Sequence, residues 1–327
     1  MKTLITGATG FIGMHLVRSL VEEGKEVKCL IRETSDRNKL EKLGVELVYG
    51  DLLDKGSLKE ALKEVSIIYH LGGEVYSFRV RDYYRINVEG TRNLLETCLS
   101  YNIEKFIHFS SIAAAGPNHD NKKFHSEGDL CSPITPYGQS KLEAERIVKD
   151  FSKNYGLATI ILRLPVIYGP GQSKDVSQLF EMAQKGRFIF FGNGENVKSA
   201  CYIKNLICGI ALLEHYDHSG NDVFYIADDN PYTLNEIVQT VAEKKGVSLS
   251  CLHLSEFTAD ILWALYKFFT ALGISFMSLY VPKSISLNFG CDISKIKEKL
   301  LYKPIVQFDD AIEETLIWLS KSNSSNK

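Results

Sequence analysis

The sequence lacks the features that define several common classes of protein. Its 327 residues contain no long uninterrupted apolar run, so no transmembrane segment is predicted. Lysine plus arginine number 38 and aspartate plus glutamate number 40, a near balance without the basic excess of proteins that bind nucleic acid. The seven cysteines form no Cys-x-x-Cys pair, and no His-x-x-x-His occurs. Neither a metal site nor a disulfide framework is therefore predicted.

Composition and the first residues favour a cytoplasmic protein that acts on a small molecule. Hydrophobic residues make up 45% of the chain, which is enough for a sizeable core. The opening MKTLITGATG has no apolar segment of signal-peptide length, and scattered, unpaired cysteines are typical of a reducing compartment.

Short apolar segments alternate with amphipathic ones through the first half of the chain. Most apolar segments are nearly continuous, as parallel strands buried on both faces are. Alternation with helices predicts an α/β protein with a doubly wound parallel sheet. The predicted strands are 3–6, 27–31, 45–49, 66–71, 105–111 and 158–164.

A glycine-rich loop, TGATGFIG (6–13), joins the first predicted strand to the first predicted helix. Its three glycines permit a tight turn, close approach of the backbone to a pyrophosphate, and close packing of helix on strand. The start of the helix favours an anion. The loop predicts a Rossmann-fold dinucleotide site, with a purely structural turn as the alternative. The residues expected at the cofactor are Gly7, Thr9, Gly10, Phe11, Ile12 and Gly13.

These motifs suggest two domains. Residues 1–169 are expected to form the dinucleotide-binding domain, with 199–228 returning to it. A smaller C-terminal substrate-binding domain is expected from 170–198 and 229–320.

The end of the second predicted strand bears on the choice of dinucleotide. Arg32 stands where an acidic residue would bind the ribose hydroxyl of NAD, and an arginine there can pair with the 2′-phosphate of NADP. NADP is therefore favoured over NAD. Glu33 and Asp36 follow closely, and a solvated charge at the strand end is the alternative for Arg32.

Two further strand ends are expected at the cofactor. Asp51 could accept a hydrogen bond from the adenine amino group, with Leu52 against the ring. After the fourth strand, the paired glycines in Leu71-Gly72-Gly73 let the chain pass close to the cofactor.

A Tyr-x-x-x-Lys motif, Tyr137 to Lys141, supplies candidate reacting groups. Residues four apart share one face of a helix. An ammonium near a phenol lowers the phenol pKa from about 10, so that the phenol can exchange a proton with a substrate hydroxyl or carbonyl. Lys141 is also a candidate to bind the nicotinamide ribose. Ser110 or Ser111, at the end of the fifth strand, could hydrogen-bond a substrate oxygen. Taken alone, the motif is common enough to arise by chance.

Together, these pieces resemble the extended short-chain dehydrogenases/reductases, in the NAD-dependent epimerase/dehydratase group. The resemblance implies that Ser111, Tyr137 and Lys141 are catalytic. It also implies that Pro165 and Val166, after Leu164, lie beside the nicotinamide, that Asn87 is a buried polar residue, and that the protein is a homodimer. The matching segments are TGATGFIG, GDLLD, HLGG, NVEGTRNLL, FSSIAAAG, PYGQSKLEAE and LRLPVIYGPG.

Departures from the family pattern bear on the substrate. Members that bind nucleotide sugars often have Gly-Asp-Gly-x-x-x-Arg, whose arginine grips the diphosphate; here the segment 192–198 ends in Lys198. Lys198 is a substrate-binding candidate, but only as a point charge. We therefore predict a net dehydrogenase or reductase acting at a secondary alcohol or ketone of an apolar or small carbonyl substrate. A nucleotide-sugar 4-epimerase is one alternative, and a non-catalytic dinucleotide sensor is another.

One segment, 257–281, is unusually apolar and aromatic. Asp260, Lys267 and Gly273 interrupt it, which makes it a poor membrane-spanning helix. We expect helices packed on the substrate-binding domain or at a dimer interface. Contact with a membrane surface and a lid over an apolar substrate are the alternatives.

Overall fold

The computed structural model describes residues 2–120, 123–172, 174–217 and 220–325. The strands are β1 (Lys2–Thr6), β2 (Glu26–Ile31), β3 (Glu46–Tyr49), β4 (Val65–His70), β5 (Lys105–Ser111), β6 (Thr159–Leu164), β7 (Val166–Tyr168), β8 (Arg187–Phe191), β9 (Val197–Lys198), β10 (Ala200–Tyr202), β11 (Asn221–Tyr225), β12 (Tyr232–Thr233) and β13 (Ser250–Leu254).

The helices are α1 (Phe11–Glu22), α2 (Asn38–Glu41), α3 (Lys55–Leu62), α4 (Val80–Tyr83), α5 (Thr91–Cys98), α6 (Ile112–Ala115), α7 (Pro136–Tyr155), α8 (Lys174–Gln184), α9 (Ile203–Glu214), α10 (Leu234–Lys244), α11 (Glu256–Ala271), α12 (Met277–Ser286), α13 (Ser294–Leu300) and α14 (Phe308–Ser325). A π-helical segment, Tyr84–Gly90, joins α4 to α5.

A seven-stranded sheet has the order β11-β6-β5-β4-β1-β2-β3. Each of the six strands predicted from apolar segments is present in it. The pairs β1–β2, β2–β3, β1–β4 and β4–β5 are parallel. The strand order reverses between β1 and β4, and in such sheets the carboxyl ends of the strands at this point bind the ligand. The predicted doubly wound parallel sheet is confirmed.

The sheet is buried on both faces, which explains why its strands are nearly continuous apolar segments. Leu4 and Ile5 on β1, Ile68 on β4 and Phe106 on β5 are 0% exposed. Burial of such side chains is the main favourable term in folding.

Contacts between Cα atoms divide the chain into two compact units. The predicted domain boundaries stay a prediction. The first unit comprises Met1–Gly116, Leu130–Arg163 and Glu214–Phe224; the second comprises Pro117–Asp129, Leu164–Leu213 and Tyr225–Lys327.

The second unit contains three two-stranded sheets, β7–β10, β9–β12 and β8–β13. It also contains α11 and α12, which pack against each other. Within the described ranges, no helix is both long and apolar enough to span a bilayer.

Candidate functional site

The glycine loop between β1 and α1 leaves no room for side chains. A Cβ on Gly7 would lie 2.8 Å from the Gly72 nitrogen, and one on Gly13 would lie 2.2 Å from the Gly7 oxygen. Gly7 also has φ +74°, which favours glycine. Gly10 caps α1 without a side-chain hydrogen bond, so the amides of the first turn are left for an anion.

At the end of β2, the side chain of Arg32 is exposed to solvent. Its backbone N–H donates to Ser35 Oγ at 3.3 Å. Burial raises the pKa of Glu74, and the positive charge of Arg32 opposes that rise. An exposed guanidinium at this strand end is suited to pair with a phosphate.

Beyond β3, Asp51 and Leu52 are fixed by different means. Asp51 Oδ1 accepts from the Leu53 amide at 2.8 Å, which closes a local turn. Leu52 is buried, and its carbonyl accepts from Asn93 Nδ2 at 3.0 Å. A Cβ on Gly90 would come within 2.9 Å of the Leu52 Cβ, so the π-helical segment packs tightly against Leu52.

A chain of buried hydrogen bonds holds the backbone at the end of β4. The Thr91 hydroxyl donates to the Asn87 carbonyl at 2.6 Å, so it accepts from His70 Nε2 at 2.9 Å. Burial is the main cause that lowers the pKa of His70 to about 3, and the ring is therefore neutral with its proton on Nε2. His70 Nδ1 then accepts from Thr6 Oγ1 at 2.8 Å, and Thr6 Oγ1 accepts from the Gly72 amide at 2.9 Å. The ring thus positions Gly72.

Asn87 links the same backbone to helix α7. Its Oδ1 accepts from the Glu74 amide at 2.7 Å, while Nδ2 donates to the Glu74 carbonyl and to Ser140 Oγ. A Cβ on Gly73 would lie 2.9 Å from Asn87 Oδ1, so a glycine is needed for this approach. The network explains why a buried amide is present here.

Ser111 and Tyr137 come together at the ends of β5 and the start of α7. Ser111 caps α6 by accepting from the Ala113 amide at 3.1 Å, and it lies close enough to Tyr137 to lower the pKa of the phenol. Thr135 caps α7 through the Gly138 amide, with Pro136 in the first turn. A Cβ on Gly138 would lie 2.3 Å from the Ala113 carbonyl oxygen, so this glycine lets the two helices meet.

Lys141 lies one turn along α7 from Tyr137 and is 7% exposed. Its Nζ donates to the Phe109 carbonyl at 2.5 Å. Burial lowers the pKa of Lys141 to about 8, and the charge of Glu145 opposes this effect. For Tyr137, burial raises the pKa and the Ser111 hydrogen bond opposes it. The expected lowering of the Tyr137 pKa is therefore not seen in the protein alone, because desolvation of the phenolate dominates.

Sequence reasoning missed the buried ion pair between Glu145 and Arg163. Glu145 is 0% exposed and Arg163 is 2% exposed. The available signal was the spacing: Glu145 stands four residues after Lys141, on the buried face of α7 with Ala144 and Val148.

Three of the predicted site residues belong to the second unit. Pro165 is buried and Val166 is 49% exposed, at the start of β7. Lys198 Nζ donates to the carbonyls of Ser284 and Leu287, at the C-terminal end of α12. Its assignment to substrate stays a prediction, and its hydrogen bonds here are made to the backbone.

The apolar segment 257–281 contributes to α11 and α12. Trp263, Tyr266 and Tyr280 pack against one another with ring centroids 5.3 to 5.6 Å apart. This agrees with the expectation of packed helices. The outer side of α11 exposes large apolar side chains, and the roles considered for it stay predictions. These side chains are Phe257, Ile261, Leu265, Phe268 and Leu272.

The first unit fits a bound dinucleotide. The backbone at Gly7, Gly10 and Gly13 is packed too closely for a Cβ at any of the three positions, and no side chain caps the start of α1. Gly72 lies against the same loop. Tight backbone approach, an anion-binding helix start and polar strand ends are the features that such a cofactor requires.

Comparisons with known proteins agree with this geometry. The model of a family described as the NAD dependent epimerase/dehydratase family matches residues 3–227. The chain is 28% identical over 336 residues to the sterol-4-alpha-carboxylate 3-dehydrogenase, decarboxylating, of Mus musculus, covering 96% of this chain and 90% of that protein. It is 29% identical over 264 residues to the 2-alkyl-3-oxoalkanoate reductase of Stenotrophomonas maltophilia, covering 75% of this chain and 76% of that protein.

A solved structure gives a similar result. The UDP-glucuronic acid 4-epimerase from Bacillus cereus, in complex with UDP-glucuronic acid and NAD, has a TM-score of 0.79 and 25% identity. The match covers 98% of this chain and 100% of that one. The resemblance predicted from the sequence motifs is confirmed.

Proposed function

The chain belongs to the NAD dependent epimerase/dehydratase family, and from that premise we propose that it catalyses net hydride transfer at a secondary alcohol or ketone of an apolar substrate. The observation that carries the proposal is buried Lys141 one turn along α7 from Tyr137, with Ser111 close enough to lower the pKa of the Tyr137 phenol. Ser111 is the last residue of β5, and the carboxyl ends of parallel strands are where α/β proteins bind ligands.

Each of the three residues has a distinct task in this reaction. A bound nicotinamide supplies or accepts the hydride. Tyr137 takes the hydroxyl proton from an alcohol during oxidation and returns a proton to the oxygen during reduction. Ser111 hydrogen-bonds the same oxygen as its charge changes. The Lys141 ammonium favours the phenolate form of Tyr137 and can bind the ribose.

The residues proposed to hold the cofactor follow from the placement of the strand ends and loops. The glycine loop would bind the pyrophosphate, Asp51 and Leu52 the adenine, and the backbone after β4 the remaining part of the dinucleotide. The full set is Gly7, Thr9, Gly10, Phe11, Ile12, Gly13, Arg32, Asp51, Leu52, Leu71, Gly72, Gly73, Tyr137, Lys141, Pro165 and Val166.

NADP(H) is the proposed form of the cofactor, because Arg32 is exposed at the end of β2. Arg32→Ala should weaken NADPH binding about tenfold or more, the worth of a charge-assisted pair with phosphate, and leave NADH binding nearly unchanged. Arg18→Ala, on the exposed side of α1, is the matched control. The proposal fails if the wild-type protein binds NADH and NADPH equally well and Arg32→Ala changes neither affinity. Arg32 would then be a solvated charge with no part in cofactor binding.

An apolar substrate is supported by two observations. The named relatives include a dehydrogenase of a sterol carboxylate and a reductase of an alkyl oxoalkanoate. Lys198, which stands in place of a diphosphate-binding arginine, is directed to backbone carbonyls of the second unit. Both favour net oxidation or reduction over chemistry on a nucleotide sugar.

A nucleotide-sugar 4-epimerase is the second candidate, favoured by the likeness to the UDP-glucuronic acid 4-epimerase. An epimerase regenerates its own cofactor, whereas a net dehydrogenase must release it. The test is to incubate the purified protein with NADPH or NADP⁺ and either 3-oxo or 3-hydroxy acids and sterols, or UDP-sugars. Exchangeable cofactor and a net change in nicotinamide absorbance with the first set support the proposal. Retained cofactor, with epimerised UDP-sugar and no net change, would establish the alternative.

A non-catalytic sensor would bind the dinucleotide and exchange no hydride with any substrate of either set. The Ser111, Tyr137 and Lys141 arrangement supports an enzyme over a sensor, since dinucleotide binding alone does not require a proton donor.

We also propose that the protein is a cytoplasmic homodimer. The seven cysteines, all within the described residues, form no disulfide, which suits a reducing compartment. The dimer rests on the family likeness, and sedimentation of the purified protein at two concentrations measures it.

A further inference from the structure

A buried ion pair lies behind the proposed reacting groups. Arg163 Nη2 lies 2.8 Å from Glu145 Oε2, and Arg163 Nε donates to Glu145 Oε1 at 3.0 Å. Ser110 Oγ donates to the same Oε1 at 2.5 Å. Both carboxylate oxygens therefore have partners, and the carboxylate has one fixed orientation.

The two ends of this network adjoin two residues of the proposed site. Glu145 follows Lys141 by one turn on α7, so the two side chains share a helix face. Ser110 precedes Ser111 at the end of β5. A single carboxylate is thus linked through hydrogen bonds to the residue before Ser111 and through charge to Lys141.

Packing alone does not explain a charge at this position. Removing two charges from water is unfavourable, and apolar residues of similar volume often replace a buried ion pair without loss of stability. Val148 and Ile147, on the same helix, already show that this face packs well with apolar side chains.

On the basis of the proposed function, we propose that Glu145 is a positioning residue that keeps Lys141 protonated and holds the Ser111 end of β5 against α7. Arg163 pairs with the Glu145 carboxylate and orients it. Neither residue touches the reacting atoms in this account.

The other groups near Lys141 do not supply this negative charge. On β4 and β5, His70 and His108 are buried imidazoles, and burial lowers the pKa of each well below its usual value, so both are neutral. On α7, Tyr137 is a neutral phenol until it reacts, with Tyr83 of α4 beside it. From β5, the Phe109 carbonyl accepts from Nζ. Glu145 is the group whose charge opposes the loss of the Lys141 proton.

The first test is the pH profile of kcat/KM for Glu145→Gln, which keeps the shape of the side chain and removes its charge. Protonated Lys141 is the active form in this proposal. The alkaline limb of the profile should therefore move to a pH about one unit lower, the small end of the range of pKa shifts for losing a neighbouring opposite charge. Ser110→Ala is the matched control: it removes one hydrogen bond and keeps the charge, so it should lower kcat without moving the limb. A merely structural role predicts that Glu145→Gln lowers thermal stability and leaves the limb in place, and this result would overturn the proposal.

A second variant covers the case in which Glu145→Gln does not fold, since that change removes the carboxylate that neutralises Arg163. Glu145→Gln combined with Arg163→Met removes both charges and leaves no uncompensated one. The alkaline limb should again move to lower pH. An unmoved limb in this folded double variant contradicts the proposal.

A third measurement separates this inference from the proposed function. Protein labelled with 13C at the lysine side chains is titrated by NMR without substrate, with Lys141→Met to assign the signal. A lower titration point for Lys141 in Glu145→Gln supports the coupling, and an unchanged one overturns it even in an active enzyme. A lowered titration point in a protein that exchanges no hydride supports the coupling and overturns the proposed function.

Discussion

Two regions of the molecule differ in which side chains they bury. The first is the glycine loop with its neighbouring strand ends, and the second is the pair of helices α11 and α12. In the first region polar side chains such as Thr6, His70 and Asn87 are buried, and each has hydrogen-bond partners. In the second, apolar side chains such as Phe257 and Phe268 are 69% and 60% exposed. In the first region the backbone geometry restricts which residue types can occupy each position. A sequence motif there therefore predicts the local backbone geometry. In the second, composition predicts helices but leaves their exposed side without an assigned partner.

Replacing the proposed proton donor should have the greatest effect on the first region. Tyr137→Phe keeps the ring in its packing place and removes the proton donor, so turnover should fall by about 10²–10⁴ while dinucleotide affinity stays nearly intact. Tyr155→Phe, at the exposed end of the same helix, should change neither. Steady-state rates and a binding titration check both. Turnover near the wild-type value in Tyr137→Phe would remove Tyr137 from the mechanism.

The next effect tests whether the loop geometry is as strict as the distances imply. A Cβ on Gly13 would lie 2.2 Å from the Gly7 oxygen, so Gly13→Ala should force the loop apart, destabilise the protein by about 1–3 kcal/mol and abolish measurable dinucleotide binding. Gly128→Ala is the matched control, because a Cβ there meets open space. Urea unfolding and a binding titration measure the two effects. Normal binding by Gly13→Ala would show that the loop tolerates a side chain.

Much of the first region could be predicted from the sequence. The sequence predicts the glycines, Ser111, Tyr137 and Lys141 as site residues because each has a stereochemical or chemical reason to occupy a strand end or helix start, and their roles stay predictions. The partners of His70 could not be predicted, because Thr6 and Thr91 are ordinary residues that come together only when β1, β4 and α5 assemble. Glu145 was missed for a related reason: a charged residue on a helix is usually solvated, and only the packing of Arg163 makes this one internal.

In the second unit the short strands β9, β10 and β12 have no strong sequence pattern. Two or three residues of alternation are too few to identify a strand. The role of Lys198 was equally hidden, since its carbonyl partners lie 86 and 89 residues away in the chain.

Acid unfolding should show the cost of keeping a histidine buried and neutral. The pKa of His70 is about 3 in the folded protein and about 6.5 when unfolded, so the unfolded state binds the extra proton between these values. Stability therefore falls as pH drops from about 6.5 towards 3, by up to about 1.4 kcal/mol per pH unit for this proton. His70→Gln should be less stable at pH 7 but show a shallower decline below pH 6.5 in urea unfolding. His119→Gln, at an exposed position, should keep the wild-type slope; a wild-type slope in His70→Gln would contradict the burial argument.

The last prediction, with the weakest consequence, concerns the role of Lys198 in the second unit. Its ammonium donates to carbonyls at the end of α12, where a cation interacts favourably with the helix dipole. Lys198→Met should therefore loosen that helix end by about 1 kcal/mol, seen as faster amide exchange in 277–286 and no change in β1 or β4. Lys297→Met, which removes an exposed pair with Asp229, should leave exchange in 277–286 unchanged. If Lys198 binds a diphosphate instead, Lys198→Met will raise the KM for a UDP-sugar and leave amide exchange in α12 at the wild-type rate. The second unit would then also contain a polar binding residue, and the two regions would differ only in the exposed apolar side of α11.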